Sequence, residues 1–182
     1  MNYANLVTYA RLLLIPLVIL CFYSTLPYAH FWAAVLFTLA SLSDWLDGFL
    51  ARRLSQASEF GAFLDPVADK LLVAIVLIML VAVYPSLLLA TAVIISREVL
   101  ISALREWMAI KGKRDAVAVA FSGKLKTTVQ MIAIIALLLV TPEYPEWFWQ
   151  FGYALLHVSA LLSVYSMVHY FRNAWNTLQG EP

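Results

Sequence analysis

Three stretches of this chain carry no Asp, Glu, Lys or Arg over a length that would cross a bilayer: 12–43, 71–96 and 147–170. About 20 consecutive apolar residues span the hydrocarbon as a helix. Backbone polar groups have no water to bond there, so each such stretch must satisfy its own hydrogen bonds. The remaining residues leave little for a soluble domain, since 63% of the chain is hydrophobic and only 13% is charged, against about a quarter charged in soluble domains. The reading is all-α: one polytopic membrane domain over 1–182. Arg11 lies inside the first apolar segment, and no basic region followed by a cleavage site precedes it. The first segment therefore reads as a retained helix and not a removed signal. The single cysteine, Cys21, has no partner within the chain for a disulfide and reads as a small apolar packing residue.

Charge placement sets the number of helices. Arg52 and Arg53 mark one loop as cytoplasmic, and Arg105, Lys111, Lys113, Arg114, Lys124 and Lys126 surround a second. Lys and Arg collect on the cytoplasmic side, so an even number of spans must separate these loops. The run after Asp69 is then divided at Tyr84-Pro85-Ser86. Six transmembrane helices follow, at about 6–23, 31–51, 60–83, 87–108, 121–140 and 147–171, with both termini cytoplasmic. The turns assigned to the other side carry no Lys or Arg. They are flanked by Tyr23, Tyr28, Trp32, Tyr84, Tyr144, Trp147 and Trp149, as an interfacial aromatic belt requires.

Within this apolar frame, four of the five aspartates fall in one stretch: Asp44, Asp47, Asp65 and Asp69. Residues three or four apart share a helix face, so each pair projects together. An intramembrane aspartate costs roughly 2.5–3.5 kcal/mol near the centre of a span, and four carboxylates in one volume do not all ionise without positive charge. Capping and ion pairing at helix ends would account for one of them; Asp65, just before Pro66, is placed as an N-cap would be. Four at these spacings, with Gly48, Arg52 and Gly61 between them, point to bound cations. Oxygen-only ligands favour hard ions such as Mg²⁺, Mn²⁺ or Ca²⁺. Gly48 leaves room for close approach to the helix backbone, and Arg52 offers a guanidinium fork to phosphate. The pairs lie toward the cytoplasmic ends of the second and third helices, a depth suited to chemistry on a lipid headgroup.

The pattern Asp44, Asp47-Gly48, Ala51-Arg52, eight residues, Gly61, Asp65, Asp69 resembles the defining motif of the CDP-alcohol phosphotransferases, and every motif position is matched. The six-helix layout is similar to that family's fold, so the resemblance covers nearly the whole chain. It implies that Asp44, Asp47, Asp65 and Asp69 hold two divalent cations, Mg²⁺ foremost and Mn²⁺ as the other choice, and that Asp69 is also the general base. It implies that Gly48, Arg52 and Ser58 bind the cytidine diphosphate portion of CDP-diacylglycerol, with Asn5 and Thr8 at its nucleotide end. It further implies a homodimer.

The second half of the chain must select the acceptor. Arg97 and Arg105 are eight apart, about 80° round a helix, with Lys70 beside Asp69 and Lys124 and Lys126 opening the fifth segment. Arg97 lies at membrane depth, where an arginine pairs or serves substrate; Glu98, Glu106 and the active-site aspartates are its possible partners. This many cations suit an acceptor with its own phosphate. The stretches GAFLDPVADK, SREVLISALREW and GKLKTTVQM are similar to bacterial members of the family that use sn-glycerol 3-phosphate. By that resemblance Arg97, Arg105 and Lys124 grip the acceptor phosphate, and the enzyme sits in the bacterial inner membrane with its active site facing the cytoplasm. The alternatives are other acceptors (inositol phosphate, serine or phosphatidylglycerol) or, outside catalysis, a divalent-cation transporter. Transporters place ions near the midplane between repeats, and no repeat is visible here. His30, His157 and His169 are unclustered and read as packing or interfacial residues. Ser159, Ser163 and Ser166 form a small polar stripe of the kind that packs membrane helices, within the bundle or against a second copy.

Overall fold

The computed structural model describes residues 3–54, 59–112 and 121–179, with side chains described for 9–43, 64, 67–112, 123, 125–175 and 179. Among the described residues six α-helices follow in order: α1 (Tyr3–Tyr23), α2 (Ala29–Leu54), α3 (Glu59–Val83), α4 (Leu88–Ile110), α5 (Phe121–Leu139) and α6 (Glu146–Leu178). A single 3-10 turn, Pro85–Leu87, links α3 to α4 where the sequence placed its break. No strand occurs among the described residues.

The helices form where uninterrupted apolar residues leave no competing polar partner for the backbone. Hydroxyl side chains inside α2 bond back to their own helix: Thr38 to the Ala34 carbonyl at 2.7 Å and Ser41 to that of Phe37 at 2.8 Å. That is how such residues are accommodated in an apolar helix. α1 runs through Pro16 and stops at Ser24, whose Oγ donates to the Cys21 carbonyl at 2.8 Å.

Packing closes the helices into a ring. α1 packs on α2 and α3, α2 on α5, α5 on α6, α6 on α4, and α4 returns to α3. The main core fills the middle with Val18, Phe37, Leu72, Leu80, Ile94 and Leu137. The α5–α6 contact is close: a Cβ added at Gly152 would lie 3.0 Å from Leu137 Cδ2. A smaller cluster joins Ile101, Leu104 and Met108 of α4 to Tyr170 and Ala174 of α6. This cluster explains why α6 continues to Leu178 instead of ending near 171 with the apolar run: its last turns pack on α4 beyond that run.

The three short connections meet at one end. The Tyr84 and Trp149 rings are 4.5 Å apart, and His30 Nδ1 is 3.0 Å from the Leu138 carbonyl. A cavity of about 700 Å³ opens there, lined by Ser24, Tyr28, His30, Glu143 and Tyr144 among others. The charged ends of α2 and α4 lie at the opposite end, as the placement of Lys and Arg requires.

The bundle is apolar outside and partly charged inside. Leu13, Leu20, Leu89, Val99, Leu161 and Tyr165 are between 63% and 72% exposed, whereas Arg11, Arg97 and Lys126 are buried. Among the described residues two helical segments, Pro85–Ile110 and Glu146–Trp175, are long and apolar enough to cross a membrane. The serine stripe is settled as well. Ser159, Ser163 and Ser166 are fully buried within the chain, so they pack α6 inside the bundle and do not face a second copy.

Candidate active site

Backbone geometry brings the aspartate stretch to one end of the bundle. Asp44 and Asp47 lie on the last three turns of α2, and Asp65 and Asp69 on the first three turns of α3. The chain reverses between α2 and α3, which also touch. Asp44 lies ten residues before Leu54, about 15 Å at 1.5 Å per residue. The side chains of Asp44, Asp47 and Asp65 lie outside the described residues, as do those of Asn5, Thr8, Gly48, Arg52 and Lys124, and Ser58 lies outside altogether. Asp69 is described; it is half-buried and engaged by a neighbour. A donor set made only of carboxylates, carried on consecutive antiparallel helices, fits a hard divalent cation.

The described side chains build a second feature beside it. Arg97 of α4 is buried and donates from Nη1 to Glu98 Oε1 at 3.2 Å and from Nη2 to Ser166 Oγ of α6 at 3.0 Å. Lys126 of α5 donates to the same Glu98 oxygen. Lys126 also lies within electrostatic reach of Asp69. Lys70, next to Asp69, donates to Ser102 Oγ of α4 at 2.5 Å. Arg105 donates from Nη2 to the Tyr170 hydroxyl at 2.9 Å, and both arginines lie near the Tyr170 ring, at 5.8 Å for Arg97 and 5.2 Å for Arg105. Four cations from three helices are therefore linked through α4, and two of them, Lys70 and Lys126, lie close to Asp69.

Two of these cations keep a donor in reserve among the described residues. Arg97 Nε and Arg105 Nε are both buried with no hydrogen-bond partner among the described residues. A buried N–H without a partner costs about 1–3 kcal/mol. Two of them on neighbouring arginines mark a place for an anion with several acceptor oxygens.

Of the sequence-predicted acceptor residues, Arg97 and Arg105 stand in this cluster. Arg97 has Glu98 as its ion-pair partner, one of the three choices open from sequence. Lys126, counted from sequence among the cations suited to an acceptor phosphate but not among the residues the resemblance puts on it, is buried in this cluster. Position 124 lies about 200° round α5 from Lys126. Glu98, Ser166 and Tyr170 were not assigned roles in the site either, because their partners lie 28, 69 and 65 residues away. Arg11 is the other omission. It is fully buried, and its Nε donates to Ser43 Oγ at 3.4 Å, immediately before Asp44. A signal for it was present, since Asn5, Thr8 and Arg11 are spaced by three along α1.

Comparison with known proteins bears on the same residues. The family model described as CDP-alcohol phosphatidyltransferase matches residues 1–168. The chain is 49% identical over 175 residues to the CDP-diacylglycerol–glycerol-3-phosphate 3-phosphatidyltransferase of Escherichia coli (strain K12). It is equally similar to the protein of the same name from Shigella flexneri. In both cases 95% of this chain and 94% of the relative are covered. With its aspartate motif carried on α2 and α3 and the match running from α1 well into α6, this chain belongs to the CDP-alcohol phosphatidyltransferase family.

Proposed function

We propose that this chain transfers the phosphatidyl group of CDP-diacylglycerol to sn-glycerol 3-phosphate, giving phosphatidylglycerophosphate and CMP. The observation that supports the acceptor is the pair of buried arginine Nε–H groups on α4 that have no hydrogen-bond partner among the described residues. A neutral alcohol would leave them unsatisfied, whereas a phosphate monoester supplies acceptor oxygens in number. The relatives' name, at 49% identity, supports the same reading.

The roles are those that the family resemblance implies for these residues, joined by the contacts of Arg97, Arg105 and Lys126. Asp69 accepts the proton of the acceptor's primary hydroxyl. The freed oxygen attacks the phosphorus that carries the diacylglycerol, a new P–O bond forms, and the bond to CMP breaks. Arg97 and Arg105, joined by Lys126, hold the acceptor phosphate so that the hydroxyl reaches Asp69; Lys124, about 200° round α5 from Lys126, is the further residue that the resemblance names for that phosphate. Gly48, Arg52, Ser58, Asn5 and Thr8 bind the cytidine diphosphate end. Asp44, Asp47, Asp65 and Asp69 would hold two divalent cations, Mg²⁺ foremost, which when bound neutralise the diphosphate and make CMP a better leaving group. Orientation of two bound reactants is itself a large part of the rate.

All six helices span the bacterial inner membrane in this reading, with termini and active site on the cytoplasmic side and a homodimer as the working form. Two properties support it: the apolar exterior of the bundle and its charged interior. Intramembrane charges face inward and pair, and an exposed apolar surface this extensive needs lipid or protein against it.

The test is CMP release by purified protein in detergent with CDP-diacylglycerol and Mg²⁺. The acceptors sn-glycerol 3-phosphate, inositol 1-phosphate, serine and phosphatidylglycerol are supplied separately. Release with sn-glycerol 3-phosphate alone is expected. Release only with another acceptor overturns the acceptor assignment while keeping the transferase chemistry.

A further inference from the structure

We infer that Glu98 is a positioning residue for the acceptor: its Oε1 holds Arg97 and Lys126 in the geometry that receives the acceptor phosphate. This rests on the acceptor reading above and goes beyond it, since Glu98 itself need touch no substrate.

The geometry is specific. One carboxylate oxygen takes a hydrogen bond from Arg97 on its own helix and another from Lys126 on α5. α4 and α5 are not closely packed neighbours among the described residues, since α6 packs on both, so this contact reaches across inside the ring of helices. The side chains of Lys126 and Arg97 are only 2% and 8% exposed, and that of Glu98 is 27% exposed. Two buried cations at this spacing repel each other unless an anion lies between them. Glu98 is that anion, and it leaves the trio one net positive charge.

Packing alone does not call for such an arrangement. Apolar side chains of similar volume commonly stabilise a buried site at least as well as a buried ion pair. The trio instead keeps a donor available: Arg97 Nη2 is fixed by Ser166, Nη1 by Glu98, and Nε has no partner among the described residues. Glu98, Ser102 and Arg105 fall within about 60° of one another round α4. On that face Ser102 receives Lys70, the neighbour of Asp69. Glu98 thus fixes the deep end of a row of cations whose middle is next to the proposed base.

The test compares the wild type with Glu98→Gln, Glu98→Asp, Lys126→Met and the Glu98→Gln/Lys126→Met double variant, measuring kcat and both KM values in detergent. Glu98→Gln is expected to raise KM for sn-glycerol 3-phosphate about tenfold or more, the scale of a lost charge-assisted hydrogen bond, and to leave KM for CDP-diacylglycerol within about twofold. In the Lys126→Met background the same change is expected to raise KM less than about threefold, because Glu98 acts through its partners. Folded Glu98→Gln with an unchanged acceptor KM overturns the inference. So does a rise in both KM values alike, or full additivity in the double variant. If Glu98→Gln does not purify folded, Glu98→Asp decides: it keeps the charge but shortens the reach, so a several-fold rise in acceptor KM supports the inference and no change overturns it. A wild type active only with a different acceptor removes the acceptor reading itself, an outcome distinct from a wild type that uses sn-glycerol 3-phosphate with Glu98 irrelevant to it.

Discussion

Arg105 and Tyr170, 65 residues apart in the chain, are joined by a 2.9 Å hydrogen bond from the arginine Nη2 to the phenol oxygen. The same ring lies 5.8 Å from the guanidinium of Arg97, so one buried tyrosine of α6 orients both arginines of α4. Tyr170→Phe keeps the ring and removes the oxygen. The expected result is a KM for sn-glycerol 3-phosphate raised about tenfold, as for loss of a hydrogen bond to a charged group, with the KM for CDP-diacylglycerol unchanged. Steady-state kinetics with each substrate varied in turn checks this.

Arg97 engages Glu98 and Ser166 through separate nitrogens and has Nε to spare. Lysine keeps the charge but cannot reproduce a planar fork with three directions. Arg97→Lys is therefore expected to lose about 100-fold in kcat/KM for the acceptor, close to the loss in Arg97→Ala, on the scale of one to two charge-assisted bonds. Full rescue by lysine would show that charge alone suffices there.

Asp69 is half-buried beside Lys70 and within reach of Lys126. As the proposed base, it should be irreplaceable by an amide. Asp69→Asn is expected to lower CMP release by about 10²–10⁴-fold, the usual worth of a general base, while the protein elutes from size exclusion as the wild type does. Chelation of divalent cations is expected to abolish wild-type release, and Mg²⁺ to restore it. Persistence of activity after chelation would count against the four-carboxylate cation site.

Gly152 lets α6 approach α5. An added Cβ would lie 3.0 Å from both Leu137 Cδ2 and Cγ, and Leu137 is fully buried. Gly152→Leu is expected to destabilise the bundle by about 1–3 kcal/mol through overpacking. The change would register as a lower thermal midpoint in detergent, with acceptor KM unaltered because Gly152 lies at the end of the bundle away from Asp69.

Some of this molecule is legible residue by residue. Apolar runs free of charge become helices because backbone hydrogen bonding inside such a run is local, and the break at Tyr84 is visible because Pro85 cannot continue the preceding hydrogen-bond ladder. The spacings of three and four between Asp44 and Asp47 and between Asp65 and Asp69 place each pair on one helix face for the same local reason. The family, and the spacing of the two aspartate pairs along α2 and α3, could therefore be read from order alone.

The acceptor half could not be completed that way. Helices that are apolar nearly all round show no contrast between the face that meets lipid and the face that meets another helix. Nothing in the order of residues says that Ser159, Ser163 and Ser166 turn inward or that Arg11 is buried against Ser43. Lys126 belongs to the cluster only because the ring of helices brings α5 opposite Glu98, and Tyr170 orients two arginines only because α6 runs on past its apolar stretch to pack against α4. The sequence by itself determined the helices, the spacing of the aspartates and the chemistry they can support. Which cations share an anion, and which keep a donor unclaimed, was decided by tertiary packing, because those contacts join residues 28 to 69 positions apart and no local rule reaches that far.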